Sequence, residues 1–156
     1  MLHVWEGRNW ISSIRGHSGK VNAMFVVDQG DEKGLISACT AGKIQVWNSK
    51  LEIGATFNAN SLGAIEPTIC SITWDLTTSK ILVGFKSCEM FEMDSTDGRN
   101  IHKGSVVAGH FSPKLSAIAT HPLTPTQFCT AGKDKTVRVF DSSQHCQIKM
   151  AMLDTM

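Results

Sequence analysis

Three glycine–lysine pairs are the first residues of this sequence that could do chemistry, because a lysine that follows a glycine-rich loop can bind phosphate. The pairs are Gly19-Lys20, Gly42-Lys43 and Gly132-Lys133. A phosphate-binding loop of this kind needs another glycine five residues before the glycine of the pair, and none of the three has it. The pairs therefore do not predict a nucleotide site.

The six histidines are the next candidates, since imidazole acts as a general base and as a metal ligand. The sequence has no HExxH, no GxSxG and no pair of histidines at metal-ligand spacing on one element. His17 and His110 each follow a glycine, and His121 precedes a proline. We interpret these three as structural, so the sequence predicts no enzyme, no metal site and no cofactor. Its five scattered cysteines contain no CxxC and predict neither zinc nor disulfides.

The elements that hold His17 and His110 repeat along the chain. Gly16-His17 opens a segment that closes with Val46-Trp47-Asn48, and Gly109-His110 opens one that closes with Val139-Phe140-Asp141. In both segments the histidine precedes the closing aromatic by 30 residues. Before the aromatic, each segment shows a strand, a tight polar turn and a second, alternating strand. A repeated β unit is therefore predicted.

Two weaker copies complete the pattern. The middle copy has predicted strands at 69–75, 80–85 and 89–94, and His3-Val4-Trp5-Glu6 resembles the end of another unit. The closing positions Trp5, Trp47, Met93 and Phe140 are 42, 46 and 47 residues apart. This spacing is typical of propeller blades and predicts an all-β chain. The predicted core comprises Val21, Met24, Ile36, Val46, Ile72, Leu82, Phe91, Ile118, Phe128 and Val139.

Gly-His near the start and Trp-Asp at the end of a four-strand unit of this length form the signature of the WD40 family, which the chain resembles over essentially its whole length. The resemblance implies a WD40-type β-propeller fragment of about three and a half four-stranded blades. The expected divisions are the end of a preceding blade at 1–15, blades at 16–57, 58–107 (degenerate) and 108–150, and a tail at 151–156. Because closed propellers use four to eight blades, we expect a piece of a longer protein that binds the remainder of its own propeller and self-associates when isolated.

The resemblance also implies a structural role for the histidines. In WD40 blades a histidine, a serine or threonine, an aspartate and a tryptophan form a hydrogen-bonded network. By position, this network would comprise His110, Thr130 and Asp134 in the last blade and His17, Ser37 and Trp47 in the first. Ala41 stands where the first blade needs its aspartate, and Val83, Ser87 and Met93 occupy the positions in the middle blade. We therefore expect incomplete networks.

Charge gives a candidate binding surface. The net charge is only +1, but residues 99–149 hold seven basic and two acidic side chains. In this fold one end of the propeller would gather Lys20, Lys43, Lys86, Lys114, Lys133 and Lys135. This basic face is either an ordinary solvated rim or a site for an acidic protein surface. No aromatic residues interleave with these lysines, which argues against nucleic acid as a partner. The sequence also lacks an apolar run of transmembrane length, so it does not predict a membrane partner.

The amino-acid sequences of individual blades give a narrower resemblance. Ser71-Ile72-Thr73-Trp74-Asp75 and Phe128-Cys129-Thr130-Ala131-Gly132 resemble blades of the echinoderm microtubule-associated protein-like family. That resemblance implies binding to tubulin and microtubules, in the cytoplasm and on the cytoskeleton. The chain has neither the coiled coil nor the HELP motif common in that family. A generic WD40 scaffold for protein–protein interaction in another assembly is the alternative, and an enzyme ranks third.

Overall fold

The computed structural model describes residues 1–29, 32–75, 77–111 and 115–153, with the side chains of Gln29 and Glu32 left aside. In these ranges the chain is built of antiparallel strands with one short 3-10 helix. The strands form a two-stranded hairpin followed by three four-stranded sheets. This series matches the predicted all-β fold of half a blade and three blades.

The leading hairpin pairs β1 (Leu2–Glu6) with β2 (Asn9–Ile14). Gly7 makes the tight connection possible, because its φ of 60° lies in the left-handed region that glycine adopts without strain. In the order of the repeat, this hairpin corresponds to the third and fourth strands of a blade. Among the described residues this sheet has two strands, whereas each of the other sheets has four.

The first sheet contains β3 (Val21–Gln29), β4 (Glu32–Cys39), β5 (Lys43–Asn48) and β6 (Ile53–Asn58), paired in chain order. The second strand, β4, is buried on both faces, since the consecutive residues Ile36, Ser37, Ala38 and Cys39 are all inaccessible, whereas β6 alternates between exposed and half-buried residues. The 3-10 helix (Ala59–Leu62) then leads to the middle sheet. The Asn58 side chain caps this helix by accepting a hydrogen bond from the amide of Asn60.

The middle sheet contains β7 (Ile69–Asp75), β8 (Lys80–Phe85), β9 (Glu89–Asp94) and the two-residue β10 (Val107–Ala108). The last sheet contains β11 (Leu115–Thr120), β12 (Gln127–Gly132), β13 (Thr136–Asp141) and β14 (Cys146–Met152). Both are antiparallel in chain order. The last strand runs beyond residue 150, so it enters the segment that the sequence assigned to a tail.

In the three four-stranded sheets, the residue after the closing aromatic or methionine caps the turn to the fourth strand. The side-chain oxygen Oδ1 of Asn48, Asp94 and Asp141 accepts a hydrogen bond from the amide two residues later, at 2.9, 2.7 and 2.9 Å. A side-chain carbonyl oxygen serves this purpose as well as a carboxylate does. Asn48 therefore does the structural work of the aspartate that it replaces.

The main apolar core lies between the first and middle sheets. Ile36, Ala38 and Ile44 of the first sheet pack with Ile72, Ile81, Val83, Phe85, Phe91 and Met93 of the middle sheet, and Ala59, Leu62 and Ile69 complete this cluster. Burying side chains of this size stabilises the fold by about 1.5–3 kcal/mol each. The Asn22 side chain also donates to the Ile69 carbonyl across the two sheets, at 3.2 Å.

The predicted core is partly wrong. Ile36, Ile72 and Phe91 are buried, and Val21, Val46, Leu82, Phe128 and Val139 are half-buried. Met24 and Ile118, however, are 54% and 67% exposed.

Met24 and Ile118 are exposed because each lies on a sheet face that no neighbouring sheet covers closely. Met24 pairs with Ser37 and lies beside the leading hairpin, which has two strands where the other described sheets have four. Ile118 lies on β11, which has no neighbour in the middle sheet as close as β7 is to β3. Their apolar character predicted burial, but burial needs a covering sheet.

All three sheets present the same kind of end. The amide of Thr40 donates to the Lys20 carbonyl and that of Lys86 to the Thr68 carbonyl, both at 2.9 Å. The amide of Gly109 donates to the Cys88 carbonyl at 3.0 Å. Each bond joins the turn between a second and third strand to a loop that precedes a first strand. We call this the loop end, and the other side of the sheets the opposite end.

Candidate binding surface and the networks beneath it

In the last sheet, His110 links the loop before β11 to the turn between β12 and β13. Its Nδ1 lies 2.9 Å from both carboxylate oxygens of Asp134, and its Nε2 lies 2.8 Å from Thr130 Oγ1. The amides of Phe111 and Thr136 donate to the same carboxylate at 3.2 and 3.1 Å. One buried carboxylate therefore fixes both the loop and the turn.

The electrostatics of Asp134 follow from these contacts. Burial by itself would raise the pKa of the Asp134 carboxyl. The hydrogen bonds from His110 and Thr136 outweigh that effect and lower the pKa to about 2. Asp134 is therefore ionised at neutral pH and accepts hydrogen bonds in that state.

Arg138 is a buried residue that the sequence did not single out. Its guanidinium donates from Nε to Thr136 Oγ1 at 3.2 Å and from Nη1 to Gln147 Oε1 at 3.1 Å, while Nη2 is buried without a protein partner among the described residues. Phe140 stacks on Phe128 with ring centroids 5.3 Å apart. The sequence could have indicated that Arg138 is buried, because it lies two residues after Thr136 on β13 and therefore points to the same face of the sheet.

In the first sheet, His17 forms the contact at Nε2 that His110 also forms, but not the contact at Nδ1. Its Nε2 lies 2.7 Å from Ser37 Oγ, and the indole Nε1 of Trp47 donates to the same oxygen at 2.7 Å. Its Nδ1 is buried and has no partner among the described residues, and Ala41 offers no carboxylate. Burial, and then the positive charge of Lys43, lower the pKa of the His17 imidazole.

The middle sheet has a different network that the sequence did not predict. The Glu89 carboxylate accepts from Ser87 Oγ at 2.7 Å and from the amide of Ile65 at 2.8 Å. Glu89 is buried, and Val83 and Met93 lie in the apolar core. The loop before β7 is thus held by a glutamate two residues after the position where the last sheet has Asp134.

One position of the third strand serves the loop in all three sheets. Lys43 Nζ donates to the Gly16 carbonyl at 3.0 Å, Glu89 accepts from Ile65, and Thr136 Oγ1 lies 3.1 Å from His110 Nδ1. A cation, an anion and a hydroxyl therefore meet the same geometric need. The loop atom within reach decides which of them fits.

The predicted basic face is smaller than the sequence indicated. Lys20, Lys133 and Lys135 are exposed at the loop end, but Lys43 is half-buried with its ammonium on the Gly16 carbonyl. Lys86 pairs with Glu66 at 2.8 Å, and this carboxylate raises the pKa of Lys86. Lys114 lies outside the described residues.

The loop end nevertheless presents positive charge, because Asp134 and Glu89 are turned inward and the charge of Glu66 is paired with Lys86. Asp134 and Glu89 are both buried beneath the turns, where they accept the hydrogen bonds described above. The opposite end differs, since Asp28, Glu52, Asp75 and Asp97 are all exposed there. That end also exposes Arg8, Lys33, Lys50 and Arg99, so its exposed charges are of both signs, whereas the exposed charged residues Lys20, Lys133 and Lys135 of the loop end are all basic.

Within the described residues, no three or more His, Cys, Asp or Glu side chains are grouped to hold a metal ion. Of the five cysteines, Cys39 is buried, Cys129 is half-buried and the others are exposed, all as free thiols. In the same part of the chain, no helix has the length and apolarity to cross a membrane.

Comparison with known proteins shows similarity to WD40 repeats and to WD40 structures. The family model described as "WD domain, G-beta repeat" matches residues 102–141, which end at the closing Asp141. The crystal structure of the RRP9 WD40 repeats is similar with a TM-score of 0.50 and 14% sequence identity, over 88% of this chain and 40% of that chain. The structure of U3-55K is similar with a TM-score of 0.50 and 15% identity, over 88% and 41%.

The chain therefore spans about two fifths of the length of these two structures. At such identities the likeness shows the fold alone. Together with the family match, it establishes that the chain contains a WD40 repeat and has the fold of a partial WD40-type β-propeller.

Proposed function

We propose that this part of a WD40-type β-propeller is a non-enzymatic protein-interaction module that binds an acidic protein surface through its loop end. The observation that carries the proposal is the charge arrangement at that end. Lys20 and Lys133 are exposed there, while Asp134 and Glu89 are buried below them. An exposed positive surface attracts acidic partners and raises their association rate.

The specific partner that we propose is tubulin in microtubules, in the cytoplasm and on the cytoskeleton. Support comes from the resemblance of Ser71-Ile72-Thr73-Trp74-Asp75 and the blade around Phe128 to microtubule-associated propellers, and from the acidic surface of tubulin. The proposed contact is mainly electrostatic. Because exposed charges are screened over about 8 Å at physiological ionic strength, binding should weaken steeply with added salt.

Microtubule co-sedimentation tests this proposal, with the chain alone centrifuged in parallel to correct for self-association. Reversing two exposed lysines of the loop end, Lys20→Glu with Lys133→Glu, should lower the bound fraction several-fold. The matched control reverses two exposed cations of the opposite end, Arg8→Glu with Lys50→Glu, for the same change in net charge. Lys33 and Lys80 are unsuitable controls, since they pair with Asp28 and Glu92.

Two results would reject the proposed surface. One is an equal loss of binding in both double variants, which would mean that only net charge matters. The other is binding that survives at high salt. If neither tubulin nor its acidic tails bind, while another acidic protein binds through Lys20 and Lys133, the generic scaffold function stands and the microtubule assignment falls.

A further inference from the structure

We propose that loop 15–20, which leads into the first sheet, is an acid-sensitive element: neutral His17 holds it on the sheet, and protonation of that imidazole releases it. The loop carbonyls of Gly16 and Lys20 accept hydrogen bonds from the first sheet and its turn, and His17 Nε2 lies 2.7 Å from Ser37 Oγ. Among these groups, the imidazole is the one that ordinarily titrates in mild acid. Loop release goes beyond the proposed function, because it sets the conditions under which the loop end is intact.

In its neutral form, His17 accepts a hydrogen bond from Ser37. Trp47 Nε1 can only donate, so Ser37 Oγ accepts from it at 2.7 Å and uses its own proton for His17 Nε2. A protonated imidazole carries N–H at both nitrogens, so Nε2 could no longer accept. The hydroxyl proton of Ser37, whose side chain is fully buried, would then lose its acceptor. Protonation therefore removes the hydrogen bond that β4 donates to the loop.

The other ring nitrogen of His17 offers no compensation. Its Nδ1 is inaccessible and has no partner among the described residues. Cys39 has the position in β4 that Gly132 has in β12, and a Cβ at Gly132 would lie 2.5 Å from His110 Nδ1. The buried Cys39 side chain therefore fills the space in which an acceptor or a water molecule would have to lie. A charged His17 would have neither solvent nor a counter-charge on this side.

The charges that act on His17 also disfavour its protonated form. Burial lowers the pKa of the imidazole below its ordinary 6.5, and the positive charges of Lys43 on β5 and of the Met1 ammonium lower it further. Within the described residues, the histidines that pair with a carboxylate are His102 and His110, and His17 is not among them. Geometry and charge therefore agree that this site accommodates a neutral ring.

Acid should favour release of the loop. In a released loop His17 titrates at the ordinary 6.5, whereas the loop held on the sheet keeps the imidazole neutral to lower pH. The contribution of His17 to holding the loop is therefore fully present above pH 6.5 and is lost as the pH falls below it. Because one proton is taken up on release, the opening equilibrium rises by up to about tenfold between pH 7.5 and 5.5.

The corresponding loop of the last sheet is an internal control. His110 faces Asp134, whose pKa of about 2 keeps its carboxylate ionised in mild acid. The amide of Phe111 donates to the same carboxylate at 3.2 Å. A charged His110 would still donate to Asp134, so mild acid should leave this loop in place.

Amide hydrogen exchange of the wild-type chain tests the proposal. The reporter is the amide of Thr40, which donates to the Lys20 carbonyl at 2.9 Å, and the control is the amide of Phe111. From pH 7.5 to 5.5, after correction for the pH dependence of intrinsic exchange, the protection factor of Thr40 should fall several-fold, by up to about tenfold, and that of Phe111 should not. NMR titration of the His17 ring should give a pKa below 6.5. Unchanged protection at Thr40, an equal fall at Phe111, or titration of His17 at or above 6.5 would overturn the proposal.

Two variants assign the effect to this imidazole. His17→Gln keeps an acceptor for Ser37 but does not titrate, so Thr40 protection should become independent of pH. Lys43→Gln keeps a donor for the loop carbonyl and removes the charge, so the fall in protection should be smaller than in the wild type. The matched control is Lys50→Gln at an exposed position of the opposite end, which should retain the wild-type fall. A fall of wild-type size in His17→Gln would show that another group is responsible.

Release of the loop should also withdraw Lys20 from the loop end, and this consequence rests on the proposed function. Wild-type binding to microtubules should fall between pH 7.5 and 6 relative to His17→Gln, which serves as the reference because acid also acts on tubulin. A fall in Thr40 protection without binding by either chain would support the acid-sensitive element and reject the microtubule assignment. A fall in protection with the same binding by both chains would reject the role of Lys20 in this consequence.

Discussion

His17 and His110 occupy the same place in two sheets, but only His110 has a carboxylate at its Nδ1. The Nε2 atoms lie 2.7 Å from Ser37 Oγ and 2.8 Å from Thr130 Oγ1, so the two rings are anchored alike on that side. On the other side, Asp134 accepts from His110, whereas Nδ1 of His17 has no partner in the part of the chain that the structure describes. The pair allows the same substitution to be compared in a complete and an incomplete network.

We expect His110→Ala to destabilise the protein more than His17→Ala. Removing His110 leaves the buried Asp134 carboxylate short of its main donor, at a cost of about 1–3 kcal/mol. Removing His17 releases a ring whose Nδ1 is already unpaired, so the loss should be smaller. Urea unfolding measures both values, and equal losses would contradict the assignment of the two networks.

The Asp134 carboxylate should make stability depend on acid pH. Its pKa is about 2 in the folded protein against the ordinary carboxyl value of 3.8, so its contribution is fully present above pH 3.8 and is lost as the pH falls toward 2. Asp134→Asn should be less stable than the wild type at pH 7, and the gap should narrow across that window. Thermal melts at a series of pH values test this, and a gap independent of pH would refute it.

Glu89 should matter as much to the middle sheet as Asp134 does to the last one. Glu89→Ala leaves the buried amide of Ile65 and the hydroxyl of Ser87 without their acceptor, and should cost about 1–3 kcal/mol. Glu66→Ala breaks an ion pair with the exposed Lys86 and should cost less than about 1 kcal/mol. Unfolding free energies that are the same for both variants would show that the Glu89 network does not hold the loop.

Cys88 holds a turn position that suits glycine. Its φ of 56° is left-handed, and Gly42 has the equivalent position in the first sheet with φ of 78°. Cys88→Gly should therefore stabilise the protein by about 0.5–1 kcal/mol by removing backbone strain. Cys70→Gly, at an exposed position on β7, should destabilise it by a similar amount. Chemical unfolding that gives both changes the same sign would argue against strain at Cys88.

The uncovered sheet faces should drive self-association of the isolated chain. Val26 and Ile118 are 69% and 67% exposed on faces that neighbouring blades cover in a closed propeller. The double variant Val26→Thr with Ile118→Thr keeps β-branched side chains and should weaken association about tenfold in sedimentation velocity. Leu123→Thr is the control, since Leu123 is 87% exposed on a turn rather than a sheet face. A wild-type chain that stays a monodisperse monomer would contradict the prediction.

Several features could be predicted from the sequence because they depend on local order. The alternation of side chains predicted the strands, and the spacing of Trp5, Trp47, Met93 and Phe140 predicted the series of sheets. The partners of His17 and His110 were implied by the resemblance to WD40 blades, and the structure has them at hydrogen-bonding distance. A repeat fixes such relations because each copy folds on the same backbone.

The sequence by itself thus determined the all-β fold, the order of the strands and the lack of an aspartate at position 41, which is Ala41. The tertiary structure alone decided what covers each face and which charges reach solvent. Met24 and Ile118 are exposed because no sheet packs on them, and Lys43 is withdrawn from the basic face because a carbonyl lies within reach of its ammonium. In the middle sheet, Glu89 holds the loop that an aspartate holds in the last sheet, because the amide of Ile65 lies within reach of its carboxylate. Burial and pairing depend on neighbours distant in sequence, and local patterns do not specify those neighbours.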